Sequence, residues 1–373
     1  MKKMVVVLIT IMCILIVFMP FSTSIKVYAS TSAKEIVTID DLETFMSRAG
    51  NNRSACSRNE KTASAYLAEV MQTQNLSFYG TLTSYTKEFN TKSGKSQNVI
   101  GVKKSNTENA PKVILGAHYD NAYNLNGEQT SSFGVFDNAS GVVCLIGLIK
   151  VLATYELPFD VVYIFYGAEE IGYKGSSNFV NSLSYIDKTN ILLAFNYDSI
   201  GAGDYTYYFT GDSANNYKKI FNANTYNIKE MPIFKRLNLL SKDLAYSHIG
   251  LKSDNVTYLK NGVKCVTFFS GNLSHSGTGY IESTKNEDVI HTQNDNLNFV
   301  LANYPNFVEN INRVANLTLD VVTAQDFTQT MQGYSNEINL FFFNNKFVIG
   351  GIFIIGFMIL VSLKVKENKT NEF

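Results

Sequence analysis

Acidic and imidazole side chains recur where apolar segments of this sequence end. The segment KVILGA runs into a histidine, VVYIFYGA into two adjacent glutamates and ILLAFNY into an aspartate, while FDNASG and VIHTQND stand before helical patterns. A carboxylate at the end of a core strand is costly to bury unless it has a partner. These side chains are therefore candidates for a shared site. They are His118, Asp137, Glu169, Glu170, Asp198 and His291.

A shared cation would remove the repulsion within such a cluster, because each pair of like charges 4 Å apart costs about 4 kcal/mol at an effective dielectric of ~20. Imidazole and carboxylate ligands without thiolate suit a catalytic zinc site, with manganese or cobalt as substitutes. All the candidates except Glu169 count as ligands. They make five, which is one more than a single tetrahedral ion takes. If one carboxylate bridges, two Zn²⁺ ions each receive three protein ligands and share a water molecule.

The elements that must position these residues predict an α/β fold. Apolar strands without alternation, separated by helices, indicate a three-layer αβα sandwich around a mostly parallel sheet, in which ligands bind beyond the carboxyl ends of the strands. The predicted strands are 97–103, 112–117, 161–167, 190–201 and 263–271, with a β-prone stretch at 80–90. The predicted helices are 58–74, 142–155, 176–183, 213–226, 253–262 and 296–318.

Six motifs in fixed order carry a family resemblance: GAHYD, FDNASG, YGAEEIGYKGS, NYDSIG, SDNVTYLKNGV and HTQND. They resemble the secreted double-zinc aminopeptidases, the metallopeptidase family of the bacterial leucyl aminopeptidases. The relatives of that family include glutaminyl cyclases, glutamate carboxypeptidases and the inactive transferrin-receptor ectodomain. The resemblance extends from about Arg53 to residue 318.

The resemblance implies a role for each candidate residue. His118 and Asp198 would hold one zinc, and Glu170 and His291 the other. The carboxylate of Asp137 would bridge the two ions. Glu169 would be the general base, and Asp120 would orient the imidazole of His118.

Two features depart from the family pattern. The spacing of 19 residues between His118 and Asp137 is long, which predicts an extra loop, NLNGEQTSSFG, beside the site. Ile290 precedes the last ligand histidine, where several aminopeptidases have a tyrosine that stabilises the tetrahedral intermediate. Tyr280 is a weak candidate for that role. The segment Ser253-Asp254 either lines the substrate cleft or caps a helix, and neither His248 nor His275 is assigned to the site.

The predicted function is that of a membrane-anchored zinc aminopeptidase, which hydrolyses N-terminal peptide bonds with a metal-activated water and a glutamate base. Carboxypeptidase and dipeptidase activity are alternatives within the same class, and the side-chain preference stays open. Two functions from different classes also stay open. One is a single-zinc acyltransferase resembling glutaminyl cyclase, which five retained ligands argue against. The second is a non-catalytic binding ectodomain, whose relatives typically lose ligands.

Both ends of the chain predict export. Lys2 and Lys3 precede a long apolar stretch, and Val27-Tyr28-Ala29 fits a cleavage site, so 1–29 is predicted to be a signal peptide, with an uncleaved anchor as the alternative. The apolar segment at 346–364 is predicted to be a transmembrane helix, since its 17 central residues span roughly 25 Å and lysines stand at its ends. This topology places a peptidase domain, 30–335, outside the cell membrane and a tail, 365–373, in the cytoplasm.

The overall charge gives no sign of nucleic-acid binding, because 32 basic residues balance 32 acidic ones. Seven lysines but only two glutamates lie outside 30–345, so the central region is acidic. Cys144 and Cys265 are predicted to be buried apolar residues, and with Cys56 they form no zinc-binding spacing. The expected partners are peptides and the membrane, and the oligomeric state is left open.

Overall fold

A computed structural model describes residues 34–125, 128–211, 216–221, 223–231, 253–271, 273–275, 281–283 and 289–334. Its centre is a 9-stranded sheet flanked by helices. The strands within these residues are β1 (Ser77–Phe78), β2 (Thr86–Thr91), β3 (Gly94–Lys103), β4 (Lys112–His118), β5 (Asn124–Leu125), β6 (Glu128–Gln129), β7 (Asp160–Tyr166), β8 (Ile191–Tyr197), β9 (Tyr205–Phe209), β10 (Ile228–Glu230), β11 (Cys265–Gly271), β12 (Leu273–His275) and β13 (Ile281–Ser283).

The four central strands of the sheet run parallel in the order β7, β4, β8, β11, and the pairs beside them, β3 with β7 and β9 with β11, are antiparallel. His118 lies opposite Tyr166, and Gly116 lies opposite Asn196. Strands β4, β7 and β8 therefore end at the same edge of the sheet. The predicted mixed α/β fold with a mostly parallel sheet is confirmed.

Helices cover both faces of the sheet. They are α1 (Ile39–Ala49), α2 (Arg58–Thr73), α3 (Ser140–Leu152), α4 (Lys174–Ser182), α5 (Tyr185–Thr189), α6 (Asn255–Lys260), α7 (Leu297–Asn303) and α8 (Phe307–Thr323). Side chains of α1, α2, α3 and α8 form one core with Val113 and Leu115, while α4 and α6 form a second core with Ile114. Neighbouring residues of β4 point to opposite faces, which is why this strand is apolar throughout.

Helix α3 is a core element. Together with the turn before it, the stretch Val135–Leu152 is long and apolar enough to cross a membrane, yet 89% of it is buried inside the protein. Its apolar character is explained by packing between the sheet and α8. The predicted signal peptide and the predicted transmembrane helix both lie outside the described residues.

Two predicted helices differ from the structure. The single helix predicted at 296–318 is two helices, α7 and α8, because Pro305 lacks an N–H donor and clashes with the preceding turn. Where the structure describes the helix predicted at 213–226, in residues 216–221 and 223–226, it has the 3-10 turns Asn216–Ile220 and Ala223–Tyr226. Asparagines recur in that segment, and their side chains compete for backbone hydrogen bonds.

Helix α1 was not among the predicted elements, although its start carries a recognisable signal. Thr38 accepts a hydrogen bond from the Asp41 amide, and the Asp41 carboxylate accepts one from the Thr38 amide. This reciprocal pair is a capping box. Leu42 and Phe45 then face the core. The extra loop predicted before Asp137 contains the short hairpin of β5 and β6.

Candidate metal centre

The structure brings the six predicted site residues together at one edge of the sheet. His118 is the last residue of β4, Asp198 directly follows β8, and the glutamate pair follows β7 after Gly167 and Ala168. The remaining two come from loops, one before α3 and one before α7. Ligand atoms of these residues fall into groups in which all atoms lie within 4.8 Å of one another.

Asp137 lies between the two histidines. Its Oδ1 is 3.1 Å from Nε2 of His118, and its Oδ2 is 2.9 Å from Nε2 of His291. On the side of Asp137 that faces His118, Asp198 Oδ1 is 3.4 Å from the same His118 nitrogen. On the second side, Glu170 Oε2 is 3.2 Å from the His291 nitrogen. The arrangement is two triads of possible ligands that share one carboxylate.

An unsatisfied buried atom marks the same place. Oε1 of Glu170 has no hydrogen-bond partner among the described residues. Buried polar atoms of native proteins nearly always have a partner, so this oxygen points to a bound group. Imidazole nitrogens and carboxylate oxygens without thiolates fit zinc.

The electrostatics of the cluster favour added positive charge. Burial lowers the pKa of His118, but Glu169 and Asp198 outweigh that effect and hold the pKa well above its usual range. Burial also lowers the pKa of His291, but hydrogen bonds to Asp137 and Glu170 outweigh this effect and raise the pKa to about 11. The negative field that favours a proton on each imidazole equally favours a metal cation in its place.

The two adjacent glutamates are buried together in the cluster. Burial raises the pKa of Glu169 well above its usual range; His118 opposes this rise and Asp254 adds to it. Burial raises the pKa of Glu170 to about 7, with Asp137 adding to the rise and His291 opposing it. Glu169 belongs to neither triad around Asp137, although its carboxylate lies within 4.8 Å of ligand atoms of His118 and Glu170.

Asp120 performs a positioning task that the sequence did not predict. Its Oδ1 lies 3.6 Å from Nδ1 of His118, close enough to orient the ring but too far for a hydrogen bond. Its two oxygens instead accept hydrogen bonds from the amides of Glu169, at 3.0 Å, and Glu170, at 3.1 Å. One carboxylate thus fixes the backbone of both glutamates.

Asp295 is a site residue that sequence reasoning missed. Its carboxylate accepts hydrogen bonds from the amides of Phe136, at 2.6 Å, and Asp137, at 3.2 Å. Its main-chain carbonyl accepts a further bond from the amide of Phe133. The side chain is fully buried, so it holds the Asp137 loop from inside the protein. The available signal was its place in HTQND, four residues after His291.

Arg53 was also missed, and it ties the ends of the same loop to β4. Its guanidinium is fully buried and donates to the carbonyl groups of Tyr119, Gly50, Phe133 and Gly134 at 2.9–3.0 Å. Burial lowers its pKa to about 10, while nearby carboxylates such as Asp295 oppose the drop. No motif marked this residue, because its partners are backbone atoms and all of them except Gly50 are far away in the sequence.

Asp254 is fully buried beside the cluster. It precedes α6 but makes no side-chain hydrogen bond to that helix, so the helix-cap interpretation is wrong. Both carboxylate oxygens lack a hydrogen-bond partner among the described residues. Burial raises its pKa to about 7, and His118 opposes the rise. Its carboxyl group therefore interacts with His118 through space.

The remaining predicted residues lie away from the ligand cluster or outside the described part of the chain. Ile290 packs against the main core, and the backbone of His275 lies in β12. His248 and Tyr280 lie outside the described residues. Cys144 and Cys265 are buried and all three described cysteines are free thiols, which confirms the prediction for the first two.

Similarity to known proteins extends over much of the chain. The model of peptidase family M28 matches residues 98–316, more than half of the chain. Aminopeptidase YwaD of Bacillus subtilis is 34% identical over 107 residues, which are 28% of this chain and 22% of YwaD. A probable leucine aminopeptidase 2 of Aspergillus fumigatus is 24% identical over 189 residues, or 51% of this chain and 34% of that protein. The chain thus spans a minor part of each relative's length.

Solved structures share the fold. The LapA aminopeptidase of Legionella pneumophila aligns with a TM-score of 0.55 and 15% identity, over 82% of this chain and 76% of its own. The glutaminyl cyclase of Tannerella forsythia aligns with a TM-score of 0.55 and 16% identity, over 78% of this chain and 98% of its own. Because an aminopeptidase and a cyclase align equally well, the fold alone does not choose between their reactions.

Proposed function

The chain belongs to peptidase family M28, and from that premise we propose that it is a zinc-dependent aminopeptidase. The observation that carries the proposal is the position of Asp137, whose two oxygens face different histidines. A carboxylate so placed could serve as a ligand to two metal ions at once. His118 and Asp198 would hold one ion, and Glu170 and His291 the other.

The bound ions would supply a Lewis acid for the scissile carbonyl and a water molecule of lowered pKa. Glu169 is the residue we assign to proton movement. It is buried, lies beside His118 and Glu170, and belongs to neither triad around Asp137. A carboxylate in that position can accept a proton from water and release it to the leaving amine.

The charge of the site favours a substrate with a free amino terminus. Asp254 lies close enough to Glu169 to raise its pKa, and it belongs to neither triad of possible ligands. Two bound zinc ions would bring four positive charges, which would offset the three ligand carboxylates and Glu169. Asp254 is the carboxylate that would then attract a cationic α-amine and repel the carboxylate of a peptide C-terminus. This residue therefore favours an aminopeptidase over a carboxypeptidase.

We also propose that the enzyme is anchored in the cell membrane with its catalytic domain outside. Two sequence features support this topology: the signal-peptide pattern of 1–29 and the lysine-flanked apolar segment 346–364. Fractionation of cells, followed by protease treatment of intact cells, would test it. Protection of the catalytic domain in intact cells would contradict the proposed topology.

Peptide turnover and metal content together test the activity. The protein should hydrolyse aminoacyl reporter substrates, lose that activity with a chelator, and contain close to two zinc ions per chain. Activity confined to N-blocked peptides would exclude an aminopeptidase. One zinc with cyclisation of N-terminal glutamine would favour the acyltransferase, and tight peptide binding without turnover would favour a binding ectodomain.

Glu169→Gln tests the assignment of the base. The amide cannot take a proton, so we expect kcat to fall by roughly 100- to 10,000-fold. Both zinc ions should stay bound, since Glu169 is not assigned as a ligand. Glu170→Ala is the matched variant at the neighbouring position, and it should lose a metal ion. Substantial turnover by Glu169→Gln would remove Glu169 from this role.

A further inference from the structure

The turn that carries the two glutamates is held by side chains along its whole length. After β7, four successive backbone amides each donate to a side-chain oxygen rather than to a main-chain carbonyl. Gly167 donates to Asn98 at 3.3 Å and Ala168 to Glu60 at 2.9 Å, and the next two amides donate to Asp120. Ala168 has a φ of 55°, in the left-handed region that a residue with a Cβ rarely adopts.

Glu60 is an unusual member of this group. It belongs to α2, is 2% exposed, and lies outside residues 98–316. None of the ion pairs between described residues includes it, so its carboxylate is stabilised by hydrogen bonds. Oε1 accepts from Ala168 and, at 2.7 Å, from Ser96, and Oε2 accepts from the Cys56 amide at 2.6 Å.

Close packing places the backbone of the turn directly against Glu60. A Cβ added at Gly167 would lie 2.9 Å from Oε1 of Glu60 and 2.4 Å from Oγ of Ser96. Helix α2 also packs on β3, the strand that supplies Ser96. The bond from Ala168 to Glu60 therefore restrains the residue that directly precedes Glu169.

We propose that Glu60 is a positioning residue that fixes the direction in which Glu169 leaves β7. The catalytic role of Glu60 rests on the proposed function, since Glu169 is the assigned base. Its restraint of Ala168 does not depend on which reaction the site performs. A general base displaced by about 1 Å can lose roughly 100-fold in rate.

Glu60→Gln is the principal test. The amide keeps the size of the side chain but turns one acceptor into an NH₂ group. That group faces the Ala168 amide if it replaces Oε1 and the Cys56 amide if it replaces Oε2. With the NH₂ group toward Ala168, we expect kcat to fall roughly 10- to 100-fold with KM and zinc content unchanged, and faster amide hydrogen exchange in the peptide containing Ala168. Glu60→Asp, one methylene shorter, withdraws both oxygens and should give this pattern whichever way the glutamine amide is turned; it also serves if the glutamine variant fails to fold.

Ser57→Ala is the matched control. Ser57 caps the same helix by accepting a hydrogen bond from the Glu60 amide, so its loss weakens α2 and leaves the Glu60 carboxylate in place. The kcat of this control should stay within about twofold of the parent value, because the loss of a helix cap affects stability and not the turn. Equal kcat and equal exchange in Glu60→Asp and Ser57→Ala would overturn the proposal. If the parent protein shows no peptidase activity, the proposed function fails, while exchange at Ala168 still tests the positioning role.

Discussion

The metal centre has two halves that are built differently. The strand half consists of His118, Asp198 and the turn with Glu169 and Glu170, all at the ends of paired parallel strands. The loop half consists of Asp137 and His291, which lie on irregular backbone before α3 and α7. The side chain of His118 is 1% exposed, whereas that of His291 is 39% exposed.

The difference shows how the backbone of each half is held in position. Hydrogen bonds between paired strands fix the backbone of the strand half. Hydrogen bonds from the turn after β7 to side chains fix the direction in which the two glutamates leave the strand. The loop half has no ladder. Its backbone is held by the buried side chains of Asp295 and Arg53, which bind amides and carbonyls near Asp137. Loop-borne ligands therefore need positioning side chains of their own.

Asp137→Ala should have the largest effect, because Asp137 is the one assigned ligand that faces both histidines and would therefore hold both ions. We expect both zinc ions to be lost and activity to fall by more than the roughly 100-fold that an outer hydrogen bond is worth. Metal analysis of the purified variant measures this. Glu43→Ala, at an exposed position of α1, is the control. Retention of one tightly bound zinc would mean that the two ions do not share Asp137.

Asp295→Asn should loosen the segment of the loop half that carries Asp137. An NH₂ group would face the amide of Phe136 or Asp137, so one of the two hydrogen bonds must be lost. Because Asp137 faces both histidines, we expect both zinc ions to bind about 10- to 100-fold less tightly. Competition with a chromophoric chelator gives both constants. Asp326→Asn, after α8, should change neither, and unchanged affinity for both ions in Asp295→Asn would contradict a role for Asp295 in holding Asp137.

Chelator treatment of the parent protein should separate the two zinc ions in time. His291 is the more exposed histidine, so the ion it shares with Glu170 should leave first. We expect two phases of zinc release whose rates differ by about tenfold, which corresponds to about 1.4 kcal/mol. His291→Ala should abolish the fast phase alone. A single phase for both ions in the parent would show that the exposure of His291 does not set the order of release.

The strand half could be predicted from the sequence by physical reasoning. Apolar segments without alternation indicated the parallel sheet, and polar residues such as His118 and Asp198 then had to meet at one edge. The loop half was predicted through the family motifs, because nothing local places His291 beside Asp137. The residues that hold the backbone were missed. Arg53 and Glu60 bind main-chain atoms, and such contacts leave no pattern in a sequence.

Thr38→Ala should have the smallest effect. It tests whether helix α1, which lies outside the site, contributes to the loop half. Loss of the cap on α1 should lower the free energy of unfolding by about 1 kcal/mol. Helix α1 reaches the loop half through its end, where the Gly50 carbonyl accepts a hydrogen bond from Arg53 at 3.0 Å. Urea unfolding with zinc bound should therefore detect the loss, while zinc content and kcat stay as in the parent. A variant that released the fast-leaving zinc sooner would instead show that α1 supports the loop half directly, and the boundary of that half would then include the helix.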